Sequence, residues 1–330
     1  MALCAFFLTP QPAVSAAEGP TLMSGGPLTF GPNDVLFIAD NAGAKIVALE
    51  LGDLVSSGTP GTKNVAGIAQ KIAALLGTDA REIQINDLAV SPTSSNAFIS
   101  VSRGRGANAT PVLLRVDGAG KIDVISLADV TYTTASLPNP PDANPGARRN
   151  PRASSITDMA YVDGQLFIAG LSNEEFSSKL RSVAYPFSTV SEGTSVEIWH
   201  AAHNAFETRS PVYTFVPYEI DGVQNLIAGY LCTPLVKFPI DNLQPGAKVM
   251  GTTIAELGNR NRPLDMIVYQ KDGKDFLLMS NTARGVMKIP TEHFGHQAGL
   301  TEHVPDGNQA GISYETIAHM TGVEQLDLLD

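Results

Sequence analysis

Five stretches of the chain repeat one pattern. They begin at Pro27 ("PLTFGPNDVLFIADNAGAKIVALEL"), Asn86 ("NDLAVSPTSSNAFISVSRGRGANATPVLLRV"), Thr157 ("TDMAYVDGQLFIAGLSNEEFSSKLRSVAYPF"), Tyr213 ("YTFVPYEIDGVQNLIAGYLCTPLVKFPI") and Pro263 ("PLDMIVYQKDGKDFLLMSNTARGVMKIP"). Each has an apolar strand, a turn with Gly, Asp or Asn, and a strongly apolar second strand. A polar break and a third, alternating strand follow. Short strands at regular spacing with turn residues between them require an all-β fold. Unit starts roughly 40–70 residues apart fit propeller blades with insertions. The expected architecture is an all-β, five- to six-bladed β-propeller. It forms a single domain over residues 18–330.

Two segments fall outside the repeat. "VAGIAQKIAALLG", residues 65–77, places Ile68, Ile72, Leu75 and Leu76 at helical spacing and ends on Gly77, which predicts a short helical insertion packed on the propeller. "SLPNPPDANPGARRNP", residues 136–151, is rich in Pro and Asn and reads as a long surface loop. The terminal "VEQLDLLD", residues 323–330, resembles the first strand of another blade, with Asp327 matching Asp265. Either it closes the ring by completing a blade with N-terminal strands, or it is a shortened sixth blade. Closure is expected, because an unpaired inner strand leaves backbone groups exposed.

Composition narrows the function classes. A net charge of −11 argues against binding a phosphate backbone, so no nucleic-acid partner is expected. The basic cluster "GARRNPR", residues 146–152, reads as a solvated loop. Residues 1–17 combine a short apolar run with the small-residue pattern "AVSA", which predicts a signal peptide and a periplasmic or secreted mature protein. No later run approaches the ~18 apolar residues of a membrane helix, so no transmembrane segment is expected. Of the two cysteines, Cys4 lies in the expected signal and Cys232 then stands alone. No GxSxG elbow and no phosphate-cradling glycine loop is present. A monomer is expected.

The first unit, "GPNDVLFIADNAGAKIVAL" from Gly31 to Leu49, resembles the NHL-type repeats and the related SMP-30-like propellers. It is similar over about one blade in detail and over the other blades as a pattern. The resemblance implies a propeller, and for the SMP-30-like enzymes a lactonase with a divalent metal held on the axis by Glu, Asn and Asp. Candidate Asp and Asn residues are present, with no early Glu in the matching strand.

Sorting the unusual residues by blade position sends them to one face. Asp87, Asp158 and Asp265 recur at the starts of inner strands. They suit either a structural role, accepting backbone N–H groups between blades, or a hard-cation site such as calcium. Asn41, Asn173, Asn281 and Cys232 follow second strands, with Arg284 beside Asn281, and are candidates for contacting a ligand or cofactor. His200, His203 and Glu207 lie in a blade crossover, as does "GNRNRP", residues 258–263. HxxH spacing on a helical turn could hold one ion, zinc or copper, with Glu207, Cys232 or Asp158 completing it. The alternative is two solvated or hydrogen-bonded His on a blade crossover, with Trp199 packed beneath them as core. Arg260 and Arg284 could clamp an anion. The turns on the opposite face, "SPTSSN", "VDGQ", "IDGVQ" and "KDGKD", are bland.

The expected function is therefore an exported propeller whose polar face binds a small molecule or a partner protein. The alternative is a metal-supported enzyme, a hydrolase or oxidoreductase, acting on a small molecule at that face. In that case Asp158 and Asp265 are the metal ligands, His200 or His203 is the general base, Arg260 or Arg284 clamps an anion, and Glu207 belongs to the catalytic candidates.

Overall fold

The computed structural model describes residues 19–329 apart from 61–63, 145–149 and 306. The expected signal peptide and most of the basic cluster lie outside these residues.

The repeated strands form five antiparallel sheets arranged as the blades of a β-propeller. Blade I contains Leu28–Phe30, Val35–Asp40, Lys45–Glu50 and Thr131–Ser136. Blade II contains Ile83–Val90, Ala97–Arg103, Thr110–Val116 and Ile122–Val124. Blade III contains Asp158–Val162, Gln165–Leu171, Ser178–Ala184 and Thr194–His200. Blade IV contains Val212–Ile220, Val223–Tyr230, Pro234–Pro239 and Thr252–Glu256. Blade V contains Pro263–Lys271, Lys274–Asn281 and Gly285–Pro290, with Glu315–Thr316 at its edge.

Three inner hairpins turn on Asp-Gly pairs, Asp163–Gly164, Asp221–Gly222 and Asp272–Gly273, all with positive φ. Two-residue turns of this kind match the right-handed twist of the strands they join. The predicted helix forms over Ile68–Leu75. Ile72 and Ala73 are buried, and the helix packs on Ile83, Ile99, Val101 and Leu114 of blade II. Leu75 departs from the expected apolar stripe and is 45% exposed.

Ring order differs from chain order. Thr131–Ser136 lies within the segment expected to be a plain crossover, yet it pairs along its whole length with Lys45–Glu50 as the outer strand of blade I. Blade II is thus inserted between the third and fourth strands of blade I. Apolar side chains of blade I pack on blade II through one face and on blade III through the other. The remaining seams join III to IV and IV to V.

The C-terminal segment runs between the inner strands of blades V and II. Asp265 Oδ2 accepts the Leu326 N–H at 2.6 Å, and Asp327 Oδ2 accepts the Val90 N–H at 2.6 Å. Closure is therefore made by one extended segment, which belongs to none of the five sheets and completes no blade with N-terminal strands. Its backbone donors are met by side-chain carboxylates.

Candidate functional site

Asp87, Asp158, Asp265 and Asp327 converge on one cavity of about 270 Å³, lined also by Leu28, Met159, Phe215, Met266 and Leu328. Register shifts immediately before Asp87 and Asp265 mark β-bulges in their inner strands, a device that re-aims a side chain. The hydrogen bonding repeats around the ring. Asp158 accepts the Met159 and Phe215 N–H groups, both at 2.7 Å. Asp265 accepts from Met266 at 2.7 Å and from Leu326 at 2.6 Å. Asp87 accepts the Leu28 N–H at 2.6 Å. Asp87 and Asp158 thus tie their own inner strands to the next one around the ring, and Asp265 ties its own to the closing C-terminal segment.

The same carboxylates are electrostatically uncomfortable. Burial, then repulsion from Asp158 and Asp327, pushes the Asp87 carboxyl well up. Asp265 is raised by burial and by Asp87 and Asp158. Burial lifts Asp158 to about 6, and Asp327 is raised for the same reason. Backbone N–H groups occupy only part of each carboxylate's four or so acceptor positions.

A second cluster lies on the seam between blades III and IV. His200 ends the outer strand of blade III, and His203 closes the 3₁₀ turn Ala201–His203. The chain then folds back through Ala205–Glu207, which sets Ala205 opposite His200 and Glu207 opposite Ile198. One imidazole lies over the other, with ring centroids 3.8 Å apart. Cys232 comes from the turn after the second strand of blade IV. The ligand atoms of His200, His203 and Cys232 all lie within 4.8 Å of one another.

The Cys232 turn is unusual. Cys232 and Thr233 are both left-handed, at φ 64° and 61°, a conformation that costs non-glycine residues about 1–3 kcal/mol and persists where the surroundings impose it. Here the Cys232 N–H donates to the Asn261 carbonyl and Thr233 N–H to the Tyr230 carbonyl, each at 2.8 Å. Thr233 Oγ1 donates to the Gly258 carbonyl at 2.8 Å. The "GNRNRP" crossover therefore anchors the thiol-bearing turn.

Carboxylates flank the imidazoles. His203 Nδ1 is 2.6 Å from Glu207 Oε1. His200 Nδ1 is 3.0 Å from Glu207 Oε2, and His200 Nε2 is 3.4 Å from Glu256 Oε1. Both approaches miss hydrogen-bonding geometry, so among the described residues neither ring nitrogen of this side chain, 1% exposed, has a hydrogen-bond partner. Burial opposes ionisation of Glu207, but His200 and His203 hold its carboxyl below the usual range. Burial drives Glu256 the other way, up to about 8, with Glu207 adding repulsion.

The solvated-histidine alternative fails for His200, which is buried. Trp199 is not core beneath the pair. It is half-buried and meets the exposed Phe206 edge-on, ring centroids 5.0 Å apart. Successive strand residues face opposite ways, so Trp199 and His200 cannot share a side.

The remaining candidates hold loops together. Asn41 Nδ2 donates to the Ala153 and Ile156 carbonyls, each at 2.7 Å. Asn281 closes its own turn, donating to the Gly285 carbonyl and accepting from the Arg284 N–H, both at 2.7 Å. Arg284, expected near an anion, spends its guanidinium on the Gly258 and Asn259 carbonyls at 3.2 and 3.0 Å. Asn173 and Arg260 are exposed. Sequence reasoning passed over Glu256. The available signal was a carboxylate ending an apolar strand directly before the polar crossover.

No protein-family profile matches the chain, and none of the curated proteins does. Among solved structures the chain is similar to an exo-1,5-α-L-arabinanase from a bovine ruminal metagenomic library, with 12% identity, 87% of this chain and 99% of that one covered, and a TM-score of 0.36. It is also similar to a putative oxidoreductase (glucose dehydrogenase) from Thermus thermophilus, at 12% identity over 93% and 87% of the two chains, TM-score 0.31. A third is the PQQ-bound aldose sugar dehydrogenase of Streptomyces coelicolor, at 11% identity over 90% of each chain, TM-score 0.29. The class defined by the blades is the β-propeller. The resemblance of residues 31–49 to NHL and SMP-30-like repeats holds at the level of that architecture.

Proposed function

We propose that this is a ligand-binding propeller whose axial cavity takes a cation, with calcium the simplest occupant. The observation that supports it is the convergence of Asp87, Asp158, Asp265 and Asp327 on one cavity. Hard cations seek several oxygen ligands. A positive charge there would offset the burial that lifts these carboxyls and the repulsion that adds to it at Asp87 and Asp265. The apolar walls, Met159, Phe215 and Met266, suit a small organic ligand carried with the ion or bearing an ammonium group itself. The reading includes export to the periplasm or beyond and action as a monomer. Among the described residues no helix is long and apolar enough to cross a membrane.

Calorimetric titration of chelator-treated, full-length protein with calcium chloride at pH 7 tests the reading. One-site binding is expected, weakened at least about tenfold in Asp265→Asn, with circular dichroism confirming the variant's fold. Absence of calcium binding in the parent, or equal affinity in the variant, would sink it. A second reading, a metal-supported enzyme, is favoured by the His200 cluster.

A further inference from the structure

We propose that His200, His203 and Cys232 form a binding site for a divalent transition metal of the zinc type, on the seam between blades III and IV. This site is independent of the axial cavity. The residues come from separate segments, an outer-strand end, a 3₁₀ turn and a blade IV turn, yet their ligand atoms fall within 4.8 Å of one another. Ligand atoms about 2.0–2.3 Å from one tetrahedral ion lie roughly 3.3–3.8 Å apart, inside that limit.

Three further features point to a ligand. The first is His200, fully enclosed, with no hydrogen-bond partner for either ring nitrogen among the described residues. A buried polar group without a partner is costly, and a metal would satisfy one nitrogen. The second is Glu207, which holds Nδ1 of His203 at 2.6 Å. A carboxylate on the far nitrogen of a ligating imidazole fixes its tautomer and leaves Nε2 free to bind metal. The third is the left-handed Cys232–Thr233 pair, held by hydrogen bonds to Tyr230, Gly258 and Asn261. Strain kept in place by its surroundings directs Cys232 toward the imidazoles.

The donor chemistry selects the ion. Two imidazoles and a thiolate are softer than an all-oxygen set, and they favour zinc, cobalt or copper over calcium or magnesium. Three protein ligands leave one tetrahedral position for water or a substrate atom. Glu256 is fully buried; its Oε1 stands 3.4 Å from His200 Nε2, and its Oε2 has no hydrogen-bond partner among the described residues. His203 is exposed and Cys232 half-buried, so the ion has a way in.

Cobalt(II) titration of chelator-treated, full-length protein reads the site directly. One equivalent should bind, with the visible bands of a tetrahedral ion and a near-ultraviolet thiolate-to-cobalt band. Cys232→Ala should abolish the thiolate band and weaken binding more than about a hundredfold, since losing even an outer partner costs about 10–100-fold. Glu207→Gln should keep the band and weaken binding within that 10–100-fold range. His200→Ala/His203→Ala should bind no cobalt. A parent without the thiolate band overturns the proposal, as does a band that survives Cys232→Ala, which would trace it to Cys4. Full-affinity binding in a folded double-histidine variant does the same. If the double variant does not fold, the two single variants decide. Calcium gives none of these bands, so failure of the axial reading and failure of this one are distinguishable.

Discussion

A carboxylate that locks two strands together can still oppose its own burial. Asp158 accepts two backbone N–H groups, yet desolvation raises its carboxyl from 3.8 to about 6. The folded chain therefore holds this proton more tightly than the unfolded chain does. Its stabilising contribution is complete below about pH 4 and is lost as the pH rises through about 6. Asp87, Asp265 and Asp327 shift in the same direction. Stability of the metal-free protein should fall between those pH values. Asp158→Asn should flatten that fall by about 2–3 kcal/mol. It should also cost about 1–2 kcal/mol at low pH, because an amide accepts through one oxygen only and orphans one N–H. Urea denaturation of both proteins from pH 4 to pH 7 measures it. Identical slopes would remove Asp158 from the account.

At the scale of elements, the helix Ile68–Leu75 covers the face of blade II that blade I leaves bare. Blade I packs on the side carrying Ala89, Phe98 and Leu113, whereas the helix packs on Ile83, Ile99, Val101 and Leu114. A propeller blade needs both faces buried, and here an eight-residue helix does for blade II what a neighbouring sheet does elsewhere. Ile72 is the anchor, with no exposed surface. Ile72→Ala should destabilise the protein by about 2–4 kcal/mol through lost transfer energy and the cavity left behind. The urea midpoint should drop with little change in slope. A change within experimental error would mean that the helix is dispensable cover.

The whole molecule depends on its closing segment. Asp327 accepts the Val90 and Leu328 N–H groups, joining the last described residues to blade II. Asp327→Ala leaves the Val90 donor without this acceptor. It should cost about 1–2 kcal/mol and speed amide exchange at Val90 and Leu326 before the blade III strands respond. Exchange that accelerates uniformly, or not at all, would show that the segment does not hold the ring shut.

Much of this was written locally. Apolar alternation set the strands, Asp-Gly pairs set the inner turns, and the 3.6-residue spacing of Ile68, Ile72 and Leu76 set the helix. Recurrence alone marked Asp87, Asp158 and Asp265 as equivalent, and matched Asp327 to Asp265. Only the tertiary structure decided that Thr131–Ser136 returns past blade II to blade I, because strand pairing depends on partners distant in the chain. It also decided that His200 is enclosed, that Trp199 faces away from it, and that Glu256 stands beside it. A strand's period says which residues share a side, not what will cover that side. The meeting of Cys232 with His200 and His203 belongs to the same class. It was suggested by the matching face of neighbouring blades, but it is made by a seam between sheets and a strained turn that hydrogen bonds from a third segment hold in place.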